Sequence, residues 1–195
     1  MDAPTLPRDE TRARILGVAL ELFGERGFAA TSTREVSERL GFTKAALYYH
    51  FRTKDDLLEA LVAPVLDELE ALVGHAAQAA PQSPAARRDL LLGLIDLMSA
   101  HEDVVRVLSQ DPSVQQRPAV ERAEPIFERF MQLLTGEEEP GTAARVRALV
   151  AIGGLQAAIV HGSLDDDREE VRQAMFAAAC GALGLPAPRR PSPGA

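Results

Sequence analysis

The sequence predicts an all-α protein: an N-terminal three-helix unit that contains a helix-turn-helix, followed by a larger helical C-terminal domain. Three observations predict it. Apolar residues recur at helical spacing along most of the 195 residues. Helix starts and stops are marked by capping side chains and glycines. No stretch alternates apolar and polar residues convincingly enough to read as a strand.

The first helix is expected from Arg12 to Glu25, where Ile15, Ala19, Leu22 and Phe23 form one apolar stripe and Gly27 follows as a stop. In "TSTREVSERLG", Ser32 and Glu35 form a capping box for a short second helix with Val36 and Leu40 facing inward, and Gly41 ends it. Thr43 caps a third helix over Lys44 to His50, so only a glycine turn separates the second helix from the third. Thr53 caps a fourth, with Asp55 and Asp56 at its positive end, and Pro64 is expected to kink or divide it.

After the break "PQSP" (Pro81 to Pro84), helical patterns cover 85–100, 102–110, 118–135, 142–163 and 167–184. The last two are apolar around the whole wheel and rich in small residues, so they must be covered on every side. They either lie in the middle of one domain or pack inward with one face and against a second copy with the other. The second arrangement is favoured here, with Ile152, Leu155, Ile159, Val171, Met175, Ala178 and Ala182 at the interface. The proline-rich end, 186–195, is expected to be disordered. The expected domains are therefore 1–54, 55–185 and that tail.

Net charge is −8, unevenly placed: residues 1–54 carry nine Lys/Arg and seven Asp/Glu, the remainder twelve and twenty-two. A weakly basic head on an acidic body suits a head that meets a polyanion. Cys180 is the single cysteine, which excludes a disulfide framework or a cysteine-rich zinc site. His50, His75, His101 and His161 are scattered, and no HExxH, GxSxG, Walker or GxGxxG pattern occurs, so neither an enzyme nor a bound metal or cofactor is expected. The opening "MDAPTLPRDETR" lacks a basic n-region and an apolar h-region, and no apolar run is expected to reach membrane-spanning length. A cytoplasmic protein is the expectation.

Aromatics make up only 5% of the chain, yet "GFTKAALYYHF" holds Phe42, Tyr48, Tyr49 and Phe51. On a helical wheel Leu47 and Phe51 share the inner face. Ala45, Ala46 and Tyr49 look outward, flanked by Lys44, Tyr48 and His50. Small residues beside a cation and phenols suit a helix laid in the DNA major groove, where methyl-sized side chains permit close approach and Lys or Tyr reach base edges or phosphates. Lys54, at the start of the fourth helix, is expected to add a cation at a site ready for phosphate.

With Gly27, Phe28, Thr31, Ser32, Gly41, Thr43, Leu47, Tyr48, Phe51, Lys54 and Leu57 in this order, residues 10–57 resemble the DNA-binding domain of the TetR family of bacterial transcriptional regulators. The resemblance covers about a quarter of the chain. It implies a cytoplasmic homodimer, built on the last two long helices, that binds palindromic operator DNA as a repressor. It further implies a C-terminal domain that takes a small hydrophobic effector and then releases the DNA.

Carried over by position, Thr43, Lys44, Ala45, Ala46 and Tyr49 face bases or the groove, while Thr33, Tyr48, His50 and Lys54 hold phosphates. Ala45 stands where glycine is common and Ser37 where alanine is usual. An effector pocket is sketched by Met98, His101, Phe127, Met131, Gln156 and His161, with Pro64 as a place where movement of the fourth helix could be focused. A helical adaptor using the same fold for protein contacts alone is the alternative.

Overall fold

The computed structural model describes residues 7–78, 83–162 and 167–186. The expected tail therefore lies outside the described residues from 187 onward, as do 81–82 of the expected break. The described residues form ten α-helices and one 3₁₀ turn, and no strand. They divide into two compact units, the described residues up to 67 with 101–124 and the described residues from 68 to 100 with those from 125 onward. This grouping by packing differs from the boundary expected at 54/55, because residues 55–67 and 101–124 pack with the N-terminal helices.

In the first unit, α1 (Arg8–Arg26) packs on α2 (Thr33–Leu40) and on α6 (Glu102–Gln110). α1 starts one turn earlier than its apolar stripe indicates. That turn is polar, and Asp9 and Glu10 complement the positive end of the helix instead of the core. Ile15, Ala19, Leu22 and Phe23 are buried as the stripe requires, and the Phe23 ring meets Phe28 edge-on at 5.1 Å. Gly27 ends the helix at φ 84°, a conformation that glycine adopts without strain.

The capping box of α2 is present in full: Ser32 Oγ accepts from the Glu35 N–H, and the Glu35 carboxylate accepts from the Ser32 N–H at 2.8 Å. Val36 is buried and Leu40 half-buried. Gly41, at φ 68°, lets the chain turn directly into α3 (Lys44–His50), which Thr43 caps through the Ala46 N–H. Ser37 is buried, and its hydroxyl donates to the Arg34 carbonyl at 2.7 Å, so the serine is satisfied in a place that usually holds alanine.

α4 (Lys54–Gln78) begins at the Thr53 cap as expected, with the Asp56 N–H donating to Thr53 Oγ1 at 3.0 Å. It is not divided at Pro64. The proline is exposed between buried Val62 and Val65, so the carbonyl it leaves without a helical donor faces the wet side while packing holds the turn. A short turn (Pro112–Val114) and α7 (Pro118–Glu121) complete the unit.

The single helix expected over 118–135 is two, since α8 (Ala123–Thr135) starts afresh after Arg122. Pro125 is the cause: its ring crowds the Glu121 carbonyl and it has no N–H to give.

The second unit is built on α5 (Pro84–Ala100), α9 (Thr142–His161) and α10 (Arg168–Leu183), which pack on one another. Leu90, Leu91, Ile95, Leu134 and Cys180 lie at its centre. Arg172 ties α10 to α5 through both oxygens of Asp96, at 2.5 and 2.9 Å, and holds that carboxyl below the usual range.

α9 corrects the expectation that no apolar run reaches spanning length. It is 20 residues long with a mean hydropathy of 1.5, enough by length and composition to cross a membrane. Its alanines, valines, leucines and isoleucines raise the mean, and one face packs on α10 and α5 while the other stays uncovered.

Candidate nucleic-acid interface

The inner face of α3 is anchored by Leu47, and the following Phe51 is buried beside it. That anchoring fixes what the rest of the helix can do. Thr43, Lys44, Ala45, Ala46, Tyr48 and Tyr49 are exposed together, and Tyr49, at 70%, is the most exposed of the large apolar side chains. Thr33 at the start of α2 and His50 at the end of α3 are half-buried at the margins. Lys44 Nζ lies 5.3 Å from the Tyr48 ring centre, and the His50 ring meets Tyr49 edge-on at 5.2 Å. The exposed surface thus offers two methyls in the middle, two phenols, an ammonium and an imidazole.

Lys54 does not join this surface. Its ammonium donates to the carbonyls of Phe28, Ala29 and Thr31 at 2.6, 3.2 and 2.8 Å, so all three N–H bonds are used inside the protein. It also sits 4.4 Å from the Phe28 ring centre. Burial, followed by the neighbouring Arg117, lowers its pKa, against the pull of Asp55, Asp111 and Glu35. The side chain expected at a phosphate site thus acts as a strut that holds the loop between α1 and α2.

The same loop is gripped from its other side by a residue that no sequence pattern singles out. Asp111 accepts from the Phe28 N–H at 2.5 Å and the Ala29 N–H at 3.3 Å through one oxygen, and from the Ser113 N–H at 2.9 Å through the other. Burial would raise its pKa; the hydrogen bonds from Ser113, Ala29 and Phe28 outweigh that and hold it low. Arg117 lies 5.1 Å from the Phe28 ring centre and pairs with Asp55 at 3.4 Å. The loop that Asp111 caps lies 83 residues earlier in the chain, so no local signal announces the contact.

The residues expected at a dimer interface are not all available for it. Leu155 and Met175 are buried within the protomer, Ile152, Ile159, Val171 and Ala182 are half-buried, and Ala178 is exposed. The open face of α9 instead carries Val146, Leu149 and Val150, all more than half exposed. A period of 3.6 finds both faces of such a helix without saying which one the protomer covers.

Of the sketched pocket residues, Met98 and Met131 are buried, Phe127 and Gln156 half-buried and His161 exposed, all in the second unit, whereas the half-buried His101 belongs to the first. None of the six lines the cleft of about 420 Å³ formed by Glu68, Ala71, Leu72, Gly93, Asp96, Leu97 and Ala100, nor the one of about 480 Å³ between α1 and α6.

Residues 15–61 match the family model described as bacterial regulatory proteins, tetR family. The HTH-type transcriptional regulator AcrR of Shigella flexneri is 44% identical over 52 residues, which are 27% of this chain and 24% of that protein. The HTH-type transcriptional activator FasR of Mycolicibacterium smegmatis is 29% identical over 109 residues, 56% of this chain and 50% of that protein. The chain thus spans between a quarter and a half of these curated relatives.

Among solved structures, AmtR of Mycobacterium smegmatis superposes with a TM-score of 0.71 at 24% identity, covering 94% of this chain and 91% of that one. PfmR of Thermus thermophilus, a TetR family transcriptional regulator, does so with 0.66 at 21% identity, covering 88% and 97%. These show a shared fold. Over residues 15–61 the chain is thus similar to the tetR family of bacterial regulatory proteins, and over most of its length it shares its fold with these solved structures.

Proposed function

We propose that the protein is a transcriptional regulator that binds palindromic operator DNA as a homodimer, represses by occupying its operator, and is released by a small hydrophobic effector. The observation that carries the reading is the outer face of α3, where every residue from Thr43 to Tyr49 except Leu47 is exposed. Those side chains have the sizes and donors that major-groove contact requires. Thr43, Lys44, Ala45, Ala46 and Tyr49 meet the groove; Thr33, Tyr48 and His50 meet phosphates.

The uncovered face of α9 supports the homodimer. Val146, Leu149 and Val150 form an exposed apolar patch of the kind that marks an interface. A Cβ added at Gly153 or Gly154 would meet nothing within 4 Å, so the protomer itself does not require glycine there. Small residues on that face permit close approach of helices from a second copy. The intended site of action is the cytoplasm, where the operator lies.

The effector belongs to the second unit in this proposal, with Met98, Phe127, Met131 and Gln156 as its apolar and polar lining, and His161 as a further candidate. It releases DNA only by binding the DNA-incompetent arrangement more tightly than the competent one. α4 contributes residues to both units and is the proposed carrier of that difference.

The test is selection of fragments from a genomic DNA pool by the purified protein, followed by a screen for compounds that release them. Recovery of a common palindrome supports the reading, and transcription from the recovered promoter with and without protein tests repression. Failure to retain any duplex overturns it.

A further inference from the structure

Among the described residues of the first unit, all arginines but Arg52 fall into two sets. Arg26, Arg34, Arg39, Arg106, Arg117 and Arg122 each pair with a carboxylate. Arg8, Arg12 and Arg14, all exposed on α1, have no ion pair among the described residues and lie over aromatic rings of the helix-turn-helix instead. Arg8 Cζ is 5.5 Å from the centre of the Tyr49 ring, Arg12 Cζ 4.8 Å from Phe51 and Arg14 Cζ 5.8 Å from Phe42. A ring contact places a guanidinium without neutralising it, so its charge stays available for an anion.

Arg8 and Arg12 are one helical turn apart on the same side of α1, and they adjoin the two aromatics at the end of α3, one of them the outermost ring of the recognition surface. Asp9 and Glu10 share the first turn of α1 yet pair with neither arginine. The cationic edge formed in this way adjoins the exposed Tyr49 ring, and the polyanion such an edge fits is the DNA backbone.

We propose that Arg8 and Arg12 grip phosphates flanking the groove that α3 enters, with Arg8 also steadying the outward Tyr49 ring. The proposal rests on the reading of α3 as the recognition helix. It makes the first turns of α1 part of the DNA interface.

The test uses the full chain and a fluorescent duplex of random sequence, with affinity measured across a salt series. Replacing both residues, Arg8→Gln with Arg12→Gln, should flatten the slope of log affinity against log salt by about 0.9 for each phosphate that the variant no longer neutralises. Arg8→Lys with Arg12→Lys keeps the charge and should keep the slope, which also serves if the glutamine pair folds poorly. A wild-type slope and affinity in the glutamine pair overturn the inference while leaving the regulator reading intact. So does an equally flattened slope in the lysine pair, which would mark the arginines as packing elements only. A wild-type protein that binds no duplex overturns both.

Discussion

Lys54 and Tyr49 look alike as candidates in the sequence, each a polar-tipped side chain near the end of α3, and the structure separates them. Tyr49 stands out from α3; Lys54 is spent on three carbonyls. Lys54→Ala should therefore act on stability, lowering it by about 1–3 kcal/mol as the loop carbonyls are deprived of a charged donor, with the salt slope of DNA binding unchanged. Urea unfolding and a salt titration check the two halves; a slope flattened by about 0.9 at wild-type stability would restore Lys54 to the phosphate-binding set.

Asp111 makes a prediction about pH. Its folded pKa lies below the ordinary carboxylate value, so its contribution is present above the unfolded pKa and lost as pH falls through the folded one. Asp111→Asn should cost about 1–2 kcal/mol near neutral pH and make stability fall less steeply on acidification, measured as urea midpoints through the acidic range. Glu35 and Asp56 are also held low, chiefly by hydrogen bonds from Ser32 and Thr53, so part of the acid sensitivity remains. An unaltered pH profile in the variant would remove Asp111 from the account. Residues such as Ser32, Thr43 and Thr53 are legible in the sequence because a cap acts on its own neighbours; Asp111 and the partners of Lys54 are not, because their contacts cross long stretches of chain.

At the scale of elements, α2 and α3 are readable almost to the residue. Both ends of α2 are fixed by local chemistry, the Ser32 box and Gly41 at positive φ, and Thr43 then restarts the chain. Pro125 sits inside an otherwise helical pattern, yet its missing N–H and its ring suffice to interrupt 118–135. Pro64 illustrates the converse: buried neighbours on both sides let the helix continue.

For α9, composition reveals an element apolar on every side but not the face that the protomer leaves open. Leu149→Arg with Val150→Glu places charge on that face, where neither residue is needed by the protomer's core. On the proposed homodimer, sedimentation should then show dimer for the wild type and monomer for the variant, with helicity preserved. An unchanged dimer would mean that the copies meet elsewhere.

For the molecule as a whole, the fold class and the exposed face of α3 follow from the sequence, whereas the packing units do not. Residues 101–124 join the N-terminal helices through Val104, Val105 and Asp111, and no composition shift marks that return of the chain. The effector site is least legible, since buried methionines and a half-buried phenylalanine look the same whether they line a cavity or fill a core. A dimer carrying two copies of α3 should read half-sites about 34–36 Å apart on one face of the duplex.

The central claim is that the exposed side chains of α3 contact duplex DNA. It is tested most directly by comparing the wild type with Lys44→Ala plus Tyr49→Ala on a fragment recovered from genomic DNA, at matched stability and in a salt series. The account predicts that the double variant loses preference for the recovered fragment over random duplex and that its salt slope flattens by about 0.9 for each phosphate left without its cation. Wild-type affinity, preference and slope in that variant would contradict it.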